Sequence, residues 1–253
     1  MSGLHIHNNH TGIWIAGASN VVVHDCIIDH NFRTGIRICA GAHRIRVADT
    51  RSEANDDGLG CDDSESDGFN TDASTSDIVF ERVSAVGNSQ DGFDFKSPNV
   101  TLLQAISRDN GCSGVKVQAG GYLENVLVEY NTVGINAAAP AGGTTVLQNC
   151  TLSQNDLGVR ALGTGNTLMM RNCIVTGPGK ALSYNSPVQL IEHHNILYRP
   201  LSTDRLIVHE DPNGETLYSG DGVNSGQWQR ESGQGQETLP LPRSSIPSVA
   251  NRW

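Results

Sequence analysis

The sequence predicts an all-β fold, a right-handed parallel β-helix built from coils of about 22 residues. The first observation behind this prediction is a repeated motif that runs polar residue, Gly, apolar residue, any residue, apolar residue. The second is an apolar run that precedes each motif, such as Val21–Ile28. The third is an asparagine that stands three or four residues before most of these glycines. Each coil of such a solenoid adds one strand to each of several parallel sheets, so equivalent residues of successive coils stack in columns.

The glycines of the motif set the period. They are Gly12, Gly35, Gly58, Gly68, Gly92, Gly114, Gly134 and Gly158. Successive glycines stand close to one coil length apart, except that Gly58 and Gly68 are much closer, which predicts a loop inserted between Gly58 and Asp67. The asparagines before them are Asn31, Asn55, Asn88, Asn110, Asn131 and Asn155. Asparagine tolerates the left-handed conformation at a turn, and stacked Asn side chains can hydrogen-bond along a ladder.

The repeat fades after about Tyr198, so the chain is predicted to be one domain in two parts. Residues 1–199 would form the parallel β-helix. Residues 200–253 are polar and rich in Gly, Ser, Gln and Pro, and they would form an irregular last coil and a cap that covers exposed strand edges. Leu4 already lies inside a coil, so we expect that N-terminal sequence is missing.

The composition limits the possible partners. The formal net charge is −10, which disfavours nucleic acids and anionic membranes. No apolar run is long enough for a membrane span, and no signal peptide opens the chain. An acidic protein that handles an acidic polymer needs local cations, either Lys and Arg side chains or a bound metal.

The cysteines are expected to be buried free thiols, since most of them follow or interrupt apolar runs and none forms a Cys-x-x-Cys pair. They are Cys26, Cys39, Cys61, Cys112, Cys150 and Cys173.

Strand alternation assigns the side chains of each motif to the inside or the outside of the coil. The first residue after Gly gives a predicted core column of Ile13, Ile36, Leu59, Phe69, Phe93, Val115, Ile135 and Val159. The second gives an outward column of Trp14, Arg37, Gly60, Asn70, Asp94, Lys116, Asn136 and Arg160. The fourth residue after Gly points outward as well, and this column includes Asp72, Lys96 and Gln118.

The middle of this one sheet therefore carries a charged cluster of Asp67, Asp72, Asp91, Asp94, Lys96 and Lys116. Two of the three lysines of the chain lie in it. Carboxylates this close repel one another unless a proton or a cation intervenes, and Ca²⁺ takes several carboxylate oxygens in flexible geometry. A lysine beside bound Ca²⁺ would have its pKa lowered and could serve as a base. A solvated charged face is the alternative, but the register of the cluster and its position next to the insertion favour a site.

These residues resemble the family 9 polysaccharide lyases, a pectate and rhamnogalacturonan lyase group with a parallel β-helix fold. The resemblance covers roughly residues 10–125. It rests on Ser66-Asp-Gly-Phe69, on Asn88-Ser-Gln-Asp-Gly-Phe-Asp94 and on Ser113-Gly-Val-Lys116. In that family a loop insertion precedes these motifs, as it does here.

The resemblance implies a calcium site at Asp67, Asp91 and Asp94, with Lys116 as the base that abstracts a proton. Gln90 stands in place of the first aspartate of the family's Asp-Asp pair and would offer a carbonyl ligand. Lys96 is a second candidate for catalysis. The implied reaction is Ca²⁺-assisted β-elimination on a uronate polymer. Arg37, Arg108, Arg160 and Asp72 are candidates for binding the substrate.

Three other functions stay open. Phe69-Asn-Thr-Asp-Ala-Ser-Thr-Ser-Asp77 and Val83-Ser-Ala-Val-Gly-Asn88 are similar to repeats in the mannuronan C5-epimerases. Gly92-Phe-Asp94 keeps part of that family's signature, although its tyrosine and its histidine are absent. A hydrolase of the polygalacturonase type could use Asp72 with Asp94 as its acidic pair. A non-catalytic carbohydrate-binding β-helix is the third. For the lyase we expect an acidic polysaccharide as partner, a monomer, and an extracellular or periplasmic location.

Overall fold

The computed structural model describes residues 1–61, 65–138, 142–185, 188–198, 206–211 and 214–218. Within these ranges the chain is a parallel β-helix of three sheets, and it contains strands but no α-helix. The predicted fold class is therefore confirmed. No helix in the described ranges is long and apolar enough to cross a membrane.

The strands, numbered along the chain, belong to the sheets in rotation. Sheet 1 contains β1 (His5–His7), β4 (Ile27–Asp29), β7 (Arg51–Glu53), β10 (Ser84–Val86), β13 (Ile106–Arg108), β16 (Leu127–Glu129), β19 (Thr151–Ser153), β22 (Ile174–Thr176) and β25 (Ile196–Tyr198). Sheet 2 contains β2 (Ile13–Ala16), β5 (Ile36–Cys39), β8 (Phe69–Thr71), β11 (Phe93–Phe95), β14 (Ser113–Val117), β17 (Val133–Ala138), β20 (Leu157–Leu162), β23 (Lys180–Asn185), β26 (Ile207–Asp211) and β27 (Gly214–Tyr218). Sheet 3 contains β3 (Ser19–His24), β6 (His43–Ala48), β9 (Ser76–Glu81), β12 (Val100–Leu103), β15 (Gly121–Glu124), β18 (Gly143–Gln148), β21 (Asn166–Arg171) and β24 (Gln189–His193).

The register of sheet 2 shows the predicted period and the predicted insertion. Ile13 pairs with Ile36, and Phe69 pairs with Phe93, so each of these pairs is separated by one coil of the regular length. Ile36 also pairs with Phe69, although the segment between them is clearly longer than a regular coil. The insertion therefore lies between β7 and β8, directly before the first strand of the predicted site.

The core consists of the inward residues of all three sheets, and its centre is aromatic. Phe69 stacks on Phe93 with ring centroids 4.9 Å apart, and Phe80 stacks on Phe95 at 5.1 Å. One member of the predicted core column is wrong, because Leu59 is 63% exposed. Its motif lies in the insertion and forms no strand, so no strand alternation turns Leu59 inward.

The asparagine ladder forms as predicted along the turn between sheets 1 and 2. The Asn31 amide donates to Asn55, which donates in turn to Asn88, with N–O distances of 3.0 and 2.7 Å. The same contacts continue from Asn88 through Asn110, Asn131 and Asn155. The conformational reason given for these asparagines was wrong. The residue before each of them adopts positive φ, as at His30 (49°) and Tyr130 (56°), and the ladder side chains point inward.

The ladder also explains the glycine in the motif. A Cβ on Gly92 would lie 2.3 Å from Ser107 Oγ, 2.6 Å from the carbonyl oxygen of Gly114 and 2.7 Å from the Asn110 amide nitrogen. The ladder and the next coil occupy the space that a side chain would need. The regular glycine therefore marks the close approach of backbone to ladder at the entry to sheet 2.

Replacing Asn110 by alanine is expected to destabilise the protein by about 2–4 kcal/mol. Its Oδ1 accepts hydrogen bonds from the backbone N–H and the side-chain amide of Asn88. Without it the buried N–H would lose its acceptor, and the amide would keep only its weaker contact to the carbonyl oxygen of Ser52. Chemical denaturation would measure the change. Asn9→Ala is the control, since Asn9 stands at the exposed end of the same column. Its backbone N–H donates to Asn31, but its side chain donates to the carbonyl oxygen of His7, so removing that side chain should change stability by less than about 0.5 kcal/mol. Equal effects of the two substitutions would contradict a stabilising ladder.

The cysteine prediction was wrong for one pair. Cys61 and Cys112 form a disulfide with their Cα atoms 5.6 Å apart. Cys26, Cys39, Cys150 and Cys173 are buried free thiols, as predicted. The paired cysteines are 51 residues apart, and only the folding of the insertion onto a later coil brings them together.

The last described strands add to the end of sheet 2. β26 pairs in parallel with β23, and β27 then pairs antiparallel with β26. The antiparallel strand covers the edge that the next coil would otherwise occupy. The predicted cap beyond residue 218 lies outside the described residues, so the division at residue 199 stays a prediction.

Candidate active site

The candidate active site lies on the outer face of sheet 2, where three neighbouring strands bring polar side chains into register. Asn70 of β8 is the register partner of Asp94 of β11, which is in turn the partner of Lys116 of β14. Asp67 and Asp91 each lie directly before the glycine of their coil, and the two are hydrogen-bonded neighbours. The residues that the sequence placed in one column are therefore neighbours in space.

Three buried carboxylates form the centre of the site. One ligand oxygen each from Asp67, Asp91 and Asp94 lies within 4.8 Å of the other two. Asp67 is only 1% exposed, and its Oδ1 accepts a hydrogen bond of 3.2 Å from the backbone N–H of Asp91. Asp91 Oδ1 accepts one of 2.7 Å from the backbone N–H of Ser113. The backbone of the next coil thus fixes two of the three carboxylates.

Both lysines of the cluster pair with these carboxylates. Lys116 Nζ lies 3.3 Å from Asp91 Oδ2 and 3.9 Å from Asp94 Oδ1. Lys96 Nζ lies 2.8 Å from Asp94 Oδ2 and is the more exposed of the two lysines. Lys116 is thus the more buried of the two lysines, and it contacts two of the three carboxylates.

The burial of the acids raises their pKa values. Burial, with the charges of Asp94 and Asp91, raises the pKa of Asp67 well above its usual value. Burial also raises the pKa of Asp91, although Lys116 opposes the change. For Lys116, burial acts to lower the pKa, but the charges of Asp91 and Asp94 outweigh it and the pKa is raised. When all three carboxylates are ionised, they carry one more charge than Lys96 and Lys116 neutralise.

The residues present fit the calcium ion that the sequence resemblance implies. Three carboxylates converge within the spacing that one cation can bridge, and oxygen donors are the ligands that Ca²⁺ prefers. The Asn70 amide lies between Asp67 and Asp94, donating at 2.8 and 3.3 Å, and its Oδ1 is buried with no hydrogen-bond partner among the described residues. Gln90 lines the same cleft, where its amide donates to the carbonyl oxygen of Cys61 at 3.3 Å.

The predicted substrate-binding residues lie at three different places. Arg37 lines the cleft, and its Nη2 is 3.7 Å from Asp72 Oδ1. Arg160 belongs to the same outward column, two coils beyond Lys116. Arg108 is not among the residues that line the cleft, because it lies on β13 of sheet 1 and pairs with Glu129. Arg108 was selected for its nearness in sequence, and the turn at the ladder separates its sheet from the site.

The insertion forms one wall of the cleft. Glu65 accepts hydrogen bonds from Arg33 at 2.6 Å and Arg37 at 3.1 Å. The Cys61–Cys112 disulfide ties the insertion to the residue before Ser113, whose N–H holds Asp91. The result is a cleft of about 120 Å³ over the carboxylates.

Sequence reasoning did not assign a role to three residues of the site. Asn70 was in the outward column and could have been recognised by its register with Asp94. Gln118, whose amide donates to Asp94 Oδ1 at 2.7 Å, was also in a predicted outward column. Glu65 carried no signal, because the insertion has no period from which its position could be read.

The comparison with family models agrees with the fold. A family model described as a right-handed β-helix region matches residues 1–72, and no curated protein matches the sequence significantly. Among solved structures, an endo-xylogalacturonan hydrolase from Aspergillus tubingensis aligns with a TM-score of 0.47 and 14% identity over 94% of this chain and 65% of the hydrolase. The enzymatically active domain of tailspike protein 2 from bacteriophage CBA120 aligns with a TM-score of 0.46 and 10% identity over 95% of this chain and 41% of that domain. PfbA, a surface adhesin of Streptococcus pneumoniae, gives a TM-score of 0.37 and 11% identity over 85% of this chain and 72% of the adhesin. The chain thus spans less than two thirds of the length of either the hydrolase or the tailspike domain.

Proposed function

We propose that this protein is a polysaccharide lyase that cleaves a uronic-acid-containing polymer by β-elimination. The observation that carries the proposal is the position of Lys116, whose Nζ lies 3.3 Å from Asp91 among three buried carboxylates at the base of a cleft. A base, a cation site and an arginine stand together in one cleft. This is the set of groups that elimination from a uronate requires.

Lys116 is the proposed base. In β-elimination Lys116 Nζ takes the proton from C5 of the uronate, and the C5–H electron pair forms a double bond between C4 and C5. The bond between C4 and the glycosidic oxygen breaks, and the leaving oxygen takes up a proton from water. The Arg37 guanidinium, also in the cleft, pairs with a sugar carboxylate. Lys96, on the adjacent outward position, adds positive charge where the enediolate develops.

The surroundings of Lys116 explain how it can act as a base. Burial is the largest influence on its pKa and acts to lower it, while Asp91 and Asp94 raise it. When the charges of these two aspartates are balanced, burial remains and the pKa of Lys116 falls. Calcium held by Asp67, Asp91 and Asp94, with Asn70 or Gln90 as carbonyl donors, would supply that balance and would make the C5 proton of the sugar more acidic.

The same proposal assigns a location and a partner. The Cys61–Cys112 disulfide is of the kind that persists in oxidising compartments, which supports an extracellular or periplasmic protein. Its partner is an acidic polysaccharide, and the protein acts as a monomer. The net charge of −10 makes nucleic acid an unfavourable alternative.

The test is the ultraviolet absorbance of the unsaturated uronate that β-elimination produces. Polygalacturonate, rhamnogalacturonan and alginate are each incubated with the protein, with Ca²⁺ and with EDTA. We expect a Ca²⁺-dependent rise on one polymer and a flat trace with EDTA. A flat trace on all three would contradict the lyase. Proton exchange at C5 without cleavage would then indicate an epimerase, and binding without any chemistry would indicate a carbohydrate-binding module.

One observation favours a hydrolase of the polygalacturonase type as a second candidate. The pKa of Asp91 is raised by burial, and a glycoside hydrolase needs a protonated carboxylic acid near an ionised one. Asp72, which sequence reasoning paired with Asp94, instead faces Arg37. A hydrolase would release reducing ends without ultraviolet absorbance, and EDTA would not stop it.

A further inference from the structure

We propose that Trp14 forms a distal subsite that stacks on a sugar ring of the acidic polymer, so that the substrate lies along the axis of the β-helix. This inference rests on the proposed function. It adds a specificity-determining residue outside the cleft, on the same face of sheet 2.

Trp14 is exposed but held in place. It is 60% exposed, the second highest value among the large apolar residues of the described chain, after Leu59 of the insertion. Its indole Nε1 donates to Cys39 Sγ at 2.9 Å, and the Arg37 guanidinium carbon lies 5.5 Å from the ring centroid. A ring that is oriented before binding loses little conformational freedom when a ligand stacks on it.

The register places Trp14 in line with the site. Trp14 pairs with Arg37, and Arg37 pairs with Asn70. Asn70 pairs with Asp94, and Asp94 pairs with Lys116. Trp14 and Lys116 are therefore four coil steps apart, or about 19 Å at the usual strand spacing of about 4.8 Å.

The charges along this line fit an acidic polymer. Arg37 stands between Trp14 and the carboxylates, with its guanidinium carbon over the indole ring. Its Nε is buried without a hydrogen-bond partner in the described part of the chain. A uronate has an apolar ring face and a carboxylate at its edge, so a stacking ring beside a guanidinium matches both groups. One sugar unit is about as long as one coil step, so about five units would reach from Lys116 to Trp14, one at each end and three between.

Calorimetry on the Lys116→Ala background, which prevents turnover, tests the subsite. The probes are a trisaccharide and an octasaccharide of galacturonate and of guluronate, all with Ca²⁺. We expect Trp14→Ala to raise the Kd for the octasaccharide by roughly tenfold and to leave the Kd for the trisaccharide unchanged. Trp14→Tyr should restore most of the affinity. In the active protein, Trp14→Ala should raise KM for long substrates and leave kcat unchanged.

The control is Ile174→Ala, an exposed apolar residue on sheet 1 that should affect neither oligomer. The subsite would be overturned if Trp14→Ala did not change the Kd for the octasaccharide. It would also be overturned if Trp14→Ala weakened the binding of both oligomers equally. If no oligomer binds at all to the Lys116→Ala protein, the proposed function fails and the subsite fails with it. The length dependence thus separates the two failures.

Discussion

Replacing Lys116 by alanine is expected to lower kcat/KM for β-elimination by about 10²–10⁴-fold, the usual contribution of a positioned general base. No other described lysine places its amine beside Asp91, since Lys96 is more exposed and pairs with Asp94 Oδ2. The side chain of Lys116 is partly exposed, so its removal leaves no large cavity. Losing its charge beside the buried carboxylates should lower the thermal midpoint, so the two rates are compared at a temperature where both proteins are folded. The initial rate of ultraviolet absorbance increase measures the change.

Two other lysine substitutions make this result specific. Lys180→Ala removes the one lysine outside the cluster and should leave the rate unchanged. Lys96→Ala should lower the rate less than Lys116→Ala, because Lys96 contributes charge and not the base. A Lys116→Ala protein that still released unsaturated product at the wild-type rate would show that Lys116 is not the base.

The register of the site could be predicted because a solenoid converts sequence period into position in space. Phe69 and Phe93 stand one period apart in sequence, and their rings stack with centroids 4.9 Å apart. The same period predicted, from the sequence alone, that Asp94 and Lys116 are neighbours on adjacent strands. It needed no knowledge of long-range folding, since each coil contacts only its neighbours.

Two of the errors, the core position of Leu59 and the missed disulfide, arose where the period breaks. Gly58 and Leu59 match the motif that begins a strand, but they belong to the insertion. A single matching motif cannot show whether a neighbouring strand is available for pairing. The Cys61–Cys112 disulfide escaped prediction for the same reason, because the path of the insertion determines it. Local patterns therefore predicted the regular coils, while the insertion before Asp67, which forms a wall of the site, required the structure.

Calcium is expected to stabilise the protein, and Asp67 is the residue that should make this effect depend on pH. The pKa of Asp67 is raised by burial and by the charges of Asp94 and Asp91. The folded state thus holds this proton more tightly than the unfolded state does, for which the pKa is about 3.9. Its contribution to stability is present at low pH and is lost as the pH rises through the raised value. Without a cation, the thermal midpoint should fall as the pH rises from acid to neutral.

A cation that binds the folded site should reverse this loss at neutral pH. Calcium at about 100 times its Kd would raise the free energy of unfolding by about 2.7 kcal/mol. Asp67→Asn removes the buried charge. Without calcium, we therefore expect its thermal midpoint at neutral pH to be higher than that of the wild type. When calcium is added, we expect the midpoint of this variant to stay the same. Asp156→Asn, at an exposed position, is the control and should keep the full calcium effect. Thermal unfolding with Ca²⁺ and with EDTA at acid and neutral pH measures these differences. If the thermal midpoint of Asp67→Asn still rose with calcium, Asp67 would not be a ligand. If the midpoint of the wild-type protein did not rise with calcium, the site would not bind the ion, and the two lysines would be the cations that balance the three carboxylates.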